Sequence, residues 1–318
     1  MNAEVFAEWF RRQGRHVYRT ATSYWHDAGH RVLQAFPYHW IIEPTEKEIK
    51  KLLWEKNALA LRYSAPITAA NVMKSYHIVC DRPGYCLSSL RRQARQNVQR
   101  GLDYASMEPI SLSRLATEGW KLRLYTLKRQ GRADAENEEW WQHLCMSAQD
   151  LPGFEAWGAM RDGQLIASVL AFMCDDCYLL LYEQSATAHL KSRVNNAIFF
   201  YVTHEALKRR GVSRVFLGLQ SLDAPSSVDR FKIRMGYTPK RVGQRVVFHS
   251  LFSPFASGMT YKLVNALRQH YRNSNFLAKT AGMLRFYRQG NRFSCEQEWP
   301  ERLNEGQGDL SKTEAPKK

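Results

Sequence analysis

Residues 154–186 read FEAWGAMRDGQLIASVLAFMCDDCYLLLYEQSA, and the fold class turns on how this stretch folds. FEAWGAM (154–160) and QLIASVLAFMC (164–174) are apolar runs rich in strand-forming residues. Between them lies Asp162-Gly163, a pair that accepts the positive φ angles of a two-residue hairpin turn. Asp175-Asp176 turns the chain again, and CYLLLYEQSA (177–186) returns as a third strand. Apolar runs bounded by turn residues read as buried strands, so the stretch predicts three consecutive antiparallel strands.

Downstream, residues 193–210 carry an apolar stripe at Val194, Ala197, Ile198, Tyr201 and Val202. Lys208, Arg209 and Arg210 lie in the last turn with Gly211 beyond, a favourable helix C-terminus. SRVFLGL (213–219) reads as a buried strand, Ser226 to Asp229 as the capped start of a short helix over 226–235, and 237–248 as a last, alternating strand. Upstream, 103–111 reads as a strand and 112–130 as a helix. The loop Gln130-Gly131-Arg132-Ala133-Asp134 leads to a second helix, 137–149. Before these, Ser88 or Ser89 can cap the helix LRRQARQNVQRG, which Gly101 ends, and 74–80 is extended. Thr45-Glu46-Lys47-Glu48 reads as a capping box, with Glu48 reaching back to the cap amide. Residues 15–25 and 30–41 read as two strands around the turn His26-Asp27-Ala28-Gly29.

At 318 residues the chain holds two domains or one large one. Apolar content of 44% and charged content of 24% exclude a disordered, collagenous or low-complexity chain. Forty-six Lys plus Arg against 30 Asp plus Glu, a net charge of +16, predict attraction to polyanions such as nucleic acid, an anionic membrane face or phosphorylated substrates. Six cysteines are too few for a disulfide scaffold and read as reduced thiols in a cytoplasm. Cys174-Asp175-Asp176-Cys177 sits on a hairpin turn, Cys80 and Cys86 lack the spacing of a zinc site, and no metal is expected. The N-terminus, with Glu4 and Glu8, has no signal-peptide core, and the longest clean apolar run, Leu165–Cys174, is half a membrane span. Residues 251–295 contain no Asp or Glu but carry Lys262, Arg268, Arg272, Lys279, Arg285, Arg288 and Arg292 among apolar residues at helical spacing. Pro254, Gly258 and Gly282 favour two shorter helices there over one. From Glu296 the chain is polar with Gly and Pro and reads as a disordered tail.

Strand, helix, helix, three antiparallel strands, helix, strand, helix, strand resembles the GNAT acyltransferase superfamily. LRRQARQNVQRGL (90–102) and SVDRFKIRMGY (227–237) resemble its FemAB-like branch, over about residues 85–250. The resemblance implies an α+β fold (mixed α/β) with a mainly antiparallel central sheet and a smaller, degenerate GNAT-like N-terminal part. The domains would be 1–84, the acyltransferase-like 85–250, the basic amphipathic helical segment 251–295 and the tail 296–318. It implies N-acyl transfer from acyl-CoA (acetyl-CoA) or aminoacyl-tRNA to an amine: an amino sugar, a cell-envelope precursor or a polyamine-like amine.

In such folds the helix after the fourth strand starts at a cleft, and its unpaired N–H groups and dipole form an anion site. Here that start reads His189-Leu190-Lys191-Ser192-Arg193-Val194-Asn195-Asn196-Ala197. Lys191 and Arg193 add charge, and Ser192, Asn195 and Asn196 can hydrogen-bond phosphate. The family pattern is Arg or Gln, two residues, Gly, one residue, Gly or Ala. Ser192 and Asn195 replace its first Arg or Gln and its Gly, which keeps a pyrophosphate further from the backbone. Phe231-Lys232 matches the family's Phe-Lys pair at the reaction centre, where Lys232 would stabilise the oxyanion. Glu183, at the end of the third strand of the run, suits a general base for an incoming ammonium. Gln220 and Ser221 can bond donor or substrate, and Arg129 and Arg132 suit an anionic acceptor group. Each set also suits a structural role: solvated charges, loop bonding, or Phe231 in the core. The competing reading is a non-catalytic GNAT module that binds tRNA or an anionic membrane surface. In either reading the protein would be cytoplasmic, or peripheral to the inner membrane face.

Overall fold

The computed structural model describes residues 2–132, 136–222, 226–271, 274–301 and 303. Ala133 and Asp134, the side chain of the expected Ser226 cap, Arg272 and residues 304–318 of the expected tail lie outside what is described. The chain runs α1 (Ala3–Arg12), β1 (Val17–Arg19), β2 (Tyr24–Asp27), β3 (Val32–Phe36), α2 (Glu46–Glu55), β4 (Ala60–Ala65), β5 (Met73–Cys80), α3 (Arg92–Tyr104), β6 (Ser106–Ile110), α4 (Leu112–Arg129) and α5 (Glu138–Met146). It continues β7 (Phe154–Arg161), β8 (Gln164–Cys174), β9 (Cys177–Ser185), α6 (Val194–Leu207), β10 (Arg214–Leu219), α7 (Ser226–Arg234), β11 (Thr238–Phe248), α8 (Gly258–His270) and α9 (Asn275–Gly290). This is a mixed α+β fold with a mainly antiparallel sheet. It divides into two compact units.

The first unit comprises Met1–Gly14, Val79–Leu217 and Phe231–Tyr237. Its strands lie in the order β10-β9-β8-β7-β6. β7 and β8 pair antiparallel through Arg161↔Gln164, around a turn in which Asp162 has φ 50° and Gly163 φ 77°. Cys174 pairs with Cys177 at the next turn. Both thiols are buried, and burial holds them protonated, Cys177 pushed up to about 12. One sheet face is covered by α1, α4 and α5: Phe6 meets Phe172 at 4.9 Å between ring centroids, and Trp9 meets Phe154 at 5.0 Å. Trp9 Nε1 donates to Leu144 O, and Trp141 Nε1 to Leu115 O. The other face is covered by α6, with Tyr201 against Trp157 and Arg209 bonded to Glu155.

The second unit comprises Arg15–Ile78, Gly218–Arg230 and Thr238–Lys318. Its strands lie in the order β1-β2-β3-β4-β11-β5, with β3 and β4 parallel and β4 and β11 antiparallel. Ile49, Leu52 and Leu53 of α2 pack with Trp25, Leu33 and Leu61. Met283 and Phe286 of α9 pack with Ala60, Met73 and Val246. α8 lies on α9, with Ala256 and Val264 against Ala281 and Leu284.

Several expectations need correction. Helix α1 was not anticipated, although Asn2 caps it and Phe6, Ala7, Trp9 and Phe10 form one buried face. Residues 15–25 hold two strand segments rather than one, and His26 and Asp27 lie in β2, not in the turn. Thr45 does cap α2, but Glu48 bonds Thr22 rather than the cap amide, because the packed β1–β2 turn offers it two donors. α3 starts at Arg92 without a side-chain cap, since Leu87–Ser89 forms a separate 3₁₀ turn. Gly101 does not end that helix: a Cβ there would lie 2.5 Å from Arg193 O and 2.7 Å from Ala197 Cβ, so glycine is present for close approach to α6. At the start of the expected tail, Gln297 is bound: its side chain accepts from Lys74 N at 2.9 Å and donates to Val72 O at 3.0 Å.

Candidate active site

β9 and β10 are parallel, and their register covers only Arg214↔Cys177, Val215↔Tyr178 and Phe216↔Leu179. Beyond Leu179, β9 continues to Ser185 on its β8 side alone. Past Phe216, β10 therefore leaves that edge of β9 without a strand partner. In the same stretch, the β8–β9 register passes from Ala171↔Leu180 to Leu170↔Tyr182, so Leu181 is an extra residue. A bulge of this kind re-aims the side chains that follow it.

Those side chains are Tyr182 and Glu183. Tyr182 turns to the α4–α5 face, with Trp141 at 5.8 Å and the Arg123 guanidinium 5.1 Å from its ring centroid. Glu183 follows it, and both Lys232 and Arg123 are close enough to lower its pKa electrostatically. Burial outweighs both cations and pushes the Glu183 carboxyl up to about 7. A half-buried carboxyl in that range can exchange a proton near neutrality.

Lys232 is held by the end of α7. Tyr237 N–H donates to Lys232 O at 3.3 Å and Gly236 N–H to Ile233 O at 3.0 Å, with Gly236 at φ 90°. This pair of bonds is a Schellman cap, which needs the left-handed conformation that glycine adopts freely. Tyr237 is fully buried, its hydroxyl 2.6 Å from Thr203 Oγ1 on α6. The sequence FKIRMGY therefore fixes Lys232 through a glycine stop and a buried aromatic anchor. Phe231 packs edge-on against Phe199 at 5.1 Å, half-buried.

A 3₁₀ turn, Thr187–Ser192, leads from β9 into α6. Arg193 is the N-cap, with φ 64° and ψ 24° and no side-chain cap bond. A non-glycine residue in this region costs on the order of 1 kcal/mol, and an arginine cap puts a cation at the positive end of the dipole. Lys191 and Arg193 are exposed and have no carboxylate partner among the described residues. Asn196 Nδ2 is 3.3 Å from Met235 Sδ, while Ser192 and Asn195 are half-buried at the helix start. The first N–H groups of α6 have no intrahelical acceptor, so this terminus can take an anion.

Arg129 holds the corner between β9 and α6. Its guanidinium donates to Ser185 O at 2.9 Å, Thr187 Oγ1 at 2.9 Å, Thr126 Oγ1 at 3.0 Å and Ser185 Oγ at 3.1 Å. Arg132 is half-buried, its N–H on Leu127 O at 2.9 Å. Gln220 and Ser221 belong to the second unit. Gln220 there accepts from Ser75 Oγ at 2.8 Å and gives its carbonyl to Arg62. Glu183 and Lys232 thus lie within electrostatic reach of one another, with Phe231 next to Lys232 in sequence. Arg123 escaped sequence reasoning because its partner Glu136 lies across a loop: Nε donates to Glu136 Oε2 at 2.7 Å. A cleft of about 1000 Å³ lies in the second unit, lined among others by Lys47, Lys50, Lys51, Trp54 and Arg245, and it includes neither Glu183 nor Lys232.

The fold has counterparts among solved structures. FemX aligns at 10% identity over 75% of this chain and 90% of its own, with a TM-score of 0.52. The C-terminal DUF2156 domain of a proposed lysylphosphatidylglycerol synthetase from Agrobacterium fabrum aligns at 12% over 83% and 91%, with a TM-score of 0.51. L-PGS from Bacillus licheniformis aligns at 10% over 77% and 91%, with a TM-score of 0.51. This chain shares its fold with these three structures. At such identities the likeness is one of fold. No protein-family model matches the chain, and no curated protein sequence matches it significantly.

Proposed function

We propose that this chain is an N-acyltransferase of the FemAB-like kind. It would transfer an acyl or aminoacyl group from acyl-CoA or aminoacyl-tRNA to an amine, with an amino sugar or cell-envelope precursor as the acceptor class. The observation that carries the reading is the Glu183 carboxyl, raised by burial and near enough to Lys232 to feel its charge, on the stretch of β9 that does not pair with β10. FemX and the lysylphosphatidylglycerol synthetase domain, by name an aminoacyl-lipid enzyme, support the superfamily's chemistry at the level of fold.

Both donors carry phosphate, and the start of α6 with Lys191 and Arg193 fits such a group. The donor carbonyl would lie in the opening between β9 and β10. Acyl transfer needs a free amine, and Glu183, ionised above about 7, can accept the proton as the nitrogen attacks the carbonyl carbon. The C–N bond forms, charge develops on the carbonyl oxygen, and the Lys232 ammonium stabilises it in a site of low dielectric. Collapse breaks the bond to sulfur or to the ribose oxygen, and the proton held at Glu183 returns to that leaving group. Arg129, through Ser185 and Thr187, is a positioning residue for this end of β9. Arg132 is proposed as an acceptor contact.

A thermal-shift and mass-spectrometric screen against acyl-CoAs and aminoacyl-tRNAs tests the reading. One donor class is expected to stabilise the protein and to yield an acylated amine. A chain that binds neither class, or binds one and transfers nothing to any amine, is a binding module instead.

A further inference from the structure

We propose that the exposed face of α8, with the turn preceding it, docks the protein on an anionic membrane surface. This goes beyond the acyl-transfer reading and is independent of it.

Met259, Leu263 and Leu267 recur every four residues along α8 and are 82%, 59% and 41% exposed. Tyr271 follows four residues later, and Leu251, Phe252 and Phe255 precede the helix in the chain, all exposed. Single exposed apolar residues are ordinary, but a contiguous run of this size marks an interaction surface. The opposite side of α8 is already used, since Val264 and Tyr261 pack toward Ala281 and Leu284. The helix therefore has two apolar faces, one covered by α9 and one bare.

Charge selects the occupant. Residues 251–295 contain no Asp or Glu. Lys262 and Arg268 on α8 are exposed and have no carboxylate partner among the described residues. Ser250 and Ser253, which bracket Leu251 and Phe252, also line the 1000 Å³ cleft, whose α2 wall carries Lys47, Lys50 and Lys51. An apolar stripe flanked by cations, with no acid in its own segment, is the composition of a helix that lies in a lipid interface: its apolar side chains enter the acyl boundary and its cations meet anionic headgroups. No helix of the described residues is long and apolar enough to cross a membrane, so the contact is interfacial. Nucleic acid would use the cations but gains nothing from exposed Met259, Leu263 and Leu267.

The test is co-sedimentation of the full chain with vesicles of phosphatidylcholine, with and without phosphatidylglycerol. The protein is expected to bind the anionic vesicles, to ignore the neutral ones, and to bind more weakly as salt rises. The variant Met259→Ser/Leu263→Ser/Leu267→Ser should keep its melting temperature and lose more than about tenfold in vesicle affinity. If it melts earlier, Met259→Ser alone carries the comparison, because Met259 is the most exposed of the three. The proposal is overturned if the full chain ignores anionic vesicles at physiological salt, or if the substitutions leave binding unchanged. It also fails if they instead abolish a homodimer seen by ultracentrifugation, or a tRNA complex formed by a protein that ignores vesicles.

Discussion

Glu183 is a carboxyl whose burial raises its pKa to about 7, with Lys232 and Arg123 pulling the other way. As the proposed base, it must be ionised to act, so kcat/KM should rise with pH and level off above about 7. Lys232→Met removes a cation that lowers this pKa, so the residual activity should titrate at higher pH than in the parent. It should also lower kcat tenfold or more, roughly, with donor affinity within a few-fold, because the lost interaction strengthens only as oxyanion charge develops. A lysine that acts only through the Glu183 pKa would move the pH profile but leave the kcat reached above the shifted pKa unchanged. Stability follows the same linkage. Between the ordinary carboxylate pKa and about 7, the folded state binds more protons than the unfolded one, so stability falls as pH rises through that window. Glu183→Gln should flatten the slope and gain up to about 2 kcal/mol at pH above the window, measured by denaturant melts at several pH values. An unchanged slope would remove Glu183 as its source.

At the scale of elements, the start of α6 shows strain next to charge. Arg193→Gly should relieve the left-handed backbone and raise stability by roughly 1 kcal/mol while weakening donor binding. Lys191→Ala with Arg193→Ala should raise the donor dissociation constant about tenfold or more, since each charge-assisted bond contributes ~1–3 kcal/mol. Calorimetric titration that finds donor affinity intact would separate this helix start from the donor. The contact of α3 with α6 is equally specific. Gly101→Val would drive a side chain into Arg193 O, a backbone atom that cannot rotate away, and should cost ~2 kcal/mol or more by thermal melts.

Over the whole molecule, the segment after Ser250 divides in two. α9 is core: Phe286 is fully buried, and Met283 and Leu284 nearly so. At Gly282 a Cβ would meet Leu222 O at 2.7 Å, so the helix is seated closely in its own unit. Truncation after Ser250 should therefore unfold that unit, removing three side chains worth ~1.5–3 kcal/mol each, whereas the α8 substitutions should leave the melting temperature alone. A truncated chain that melts like the parent would show that α9 adds nothing to the fold.

Much of this was legible in the amino-acid order. Asp162-Gly163 dictates its own turn, the apolar runs around it dictate strands, and FKIRMGY contains the glycine stop that fixes Lys232, because each is a local matter of backbone sterics and alternation. Glu183 and Lys232 were nameable as two candidates but not as groups within electrostatic reach of one another, since 48 residues of chain separate them. α1 had its Asn2 cap and apolar face in plain view, yet ten residues give little helical stability without the sheet they cover. Other features belong to tertiary structure alone. The bulge at Leu181, the parting of β9 from β10, the use of Arg129 as a latch and the presence of Gly101 as a spacer depend on what lies opposite. Burial, which lifts the Glu183 pKa, is likewise set by surrounding atoms, and so is the choice of which face of α8 stays bare.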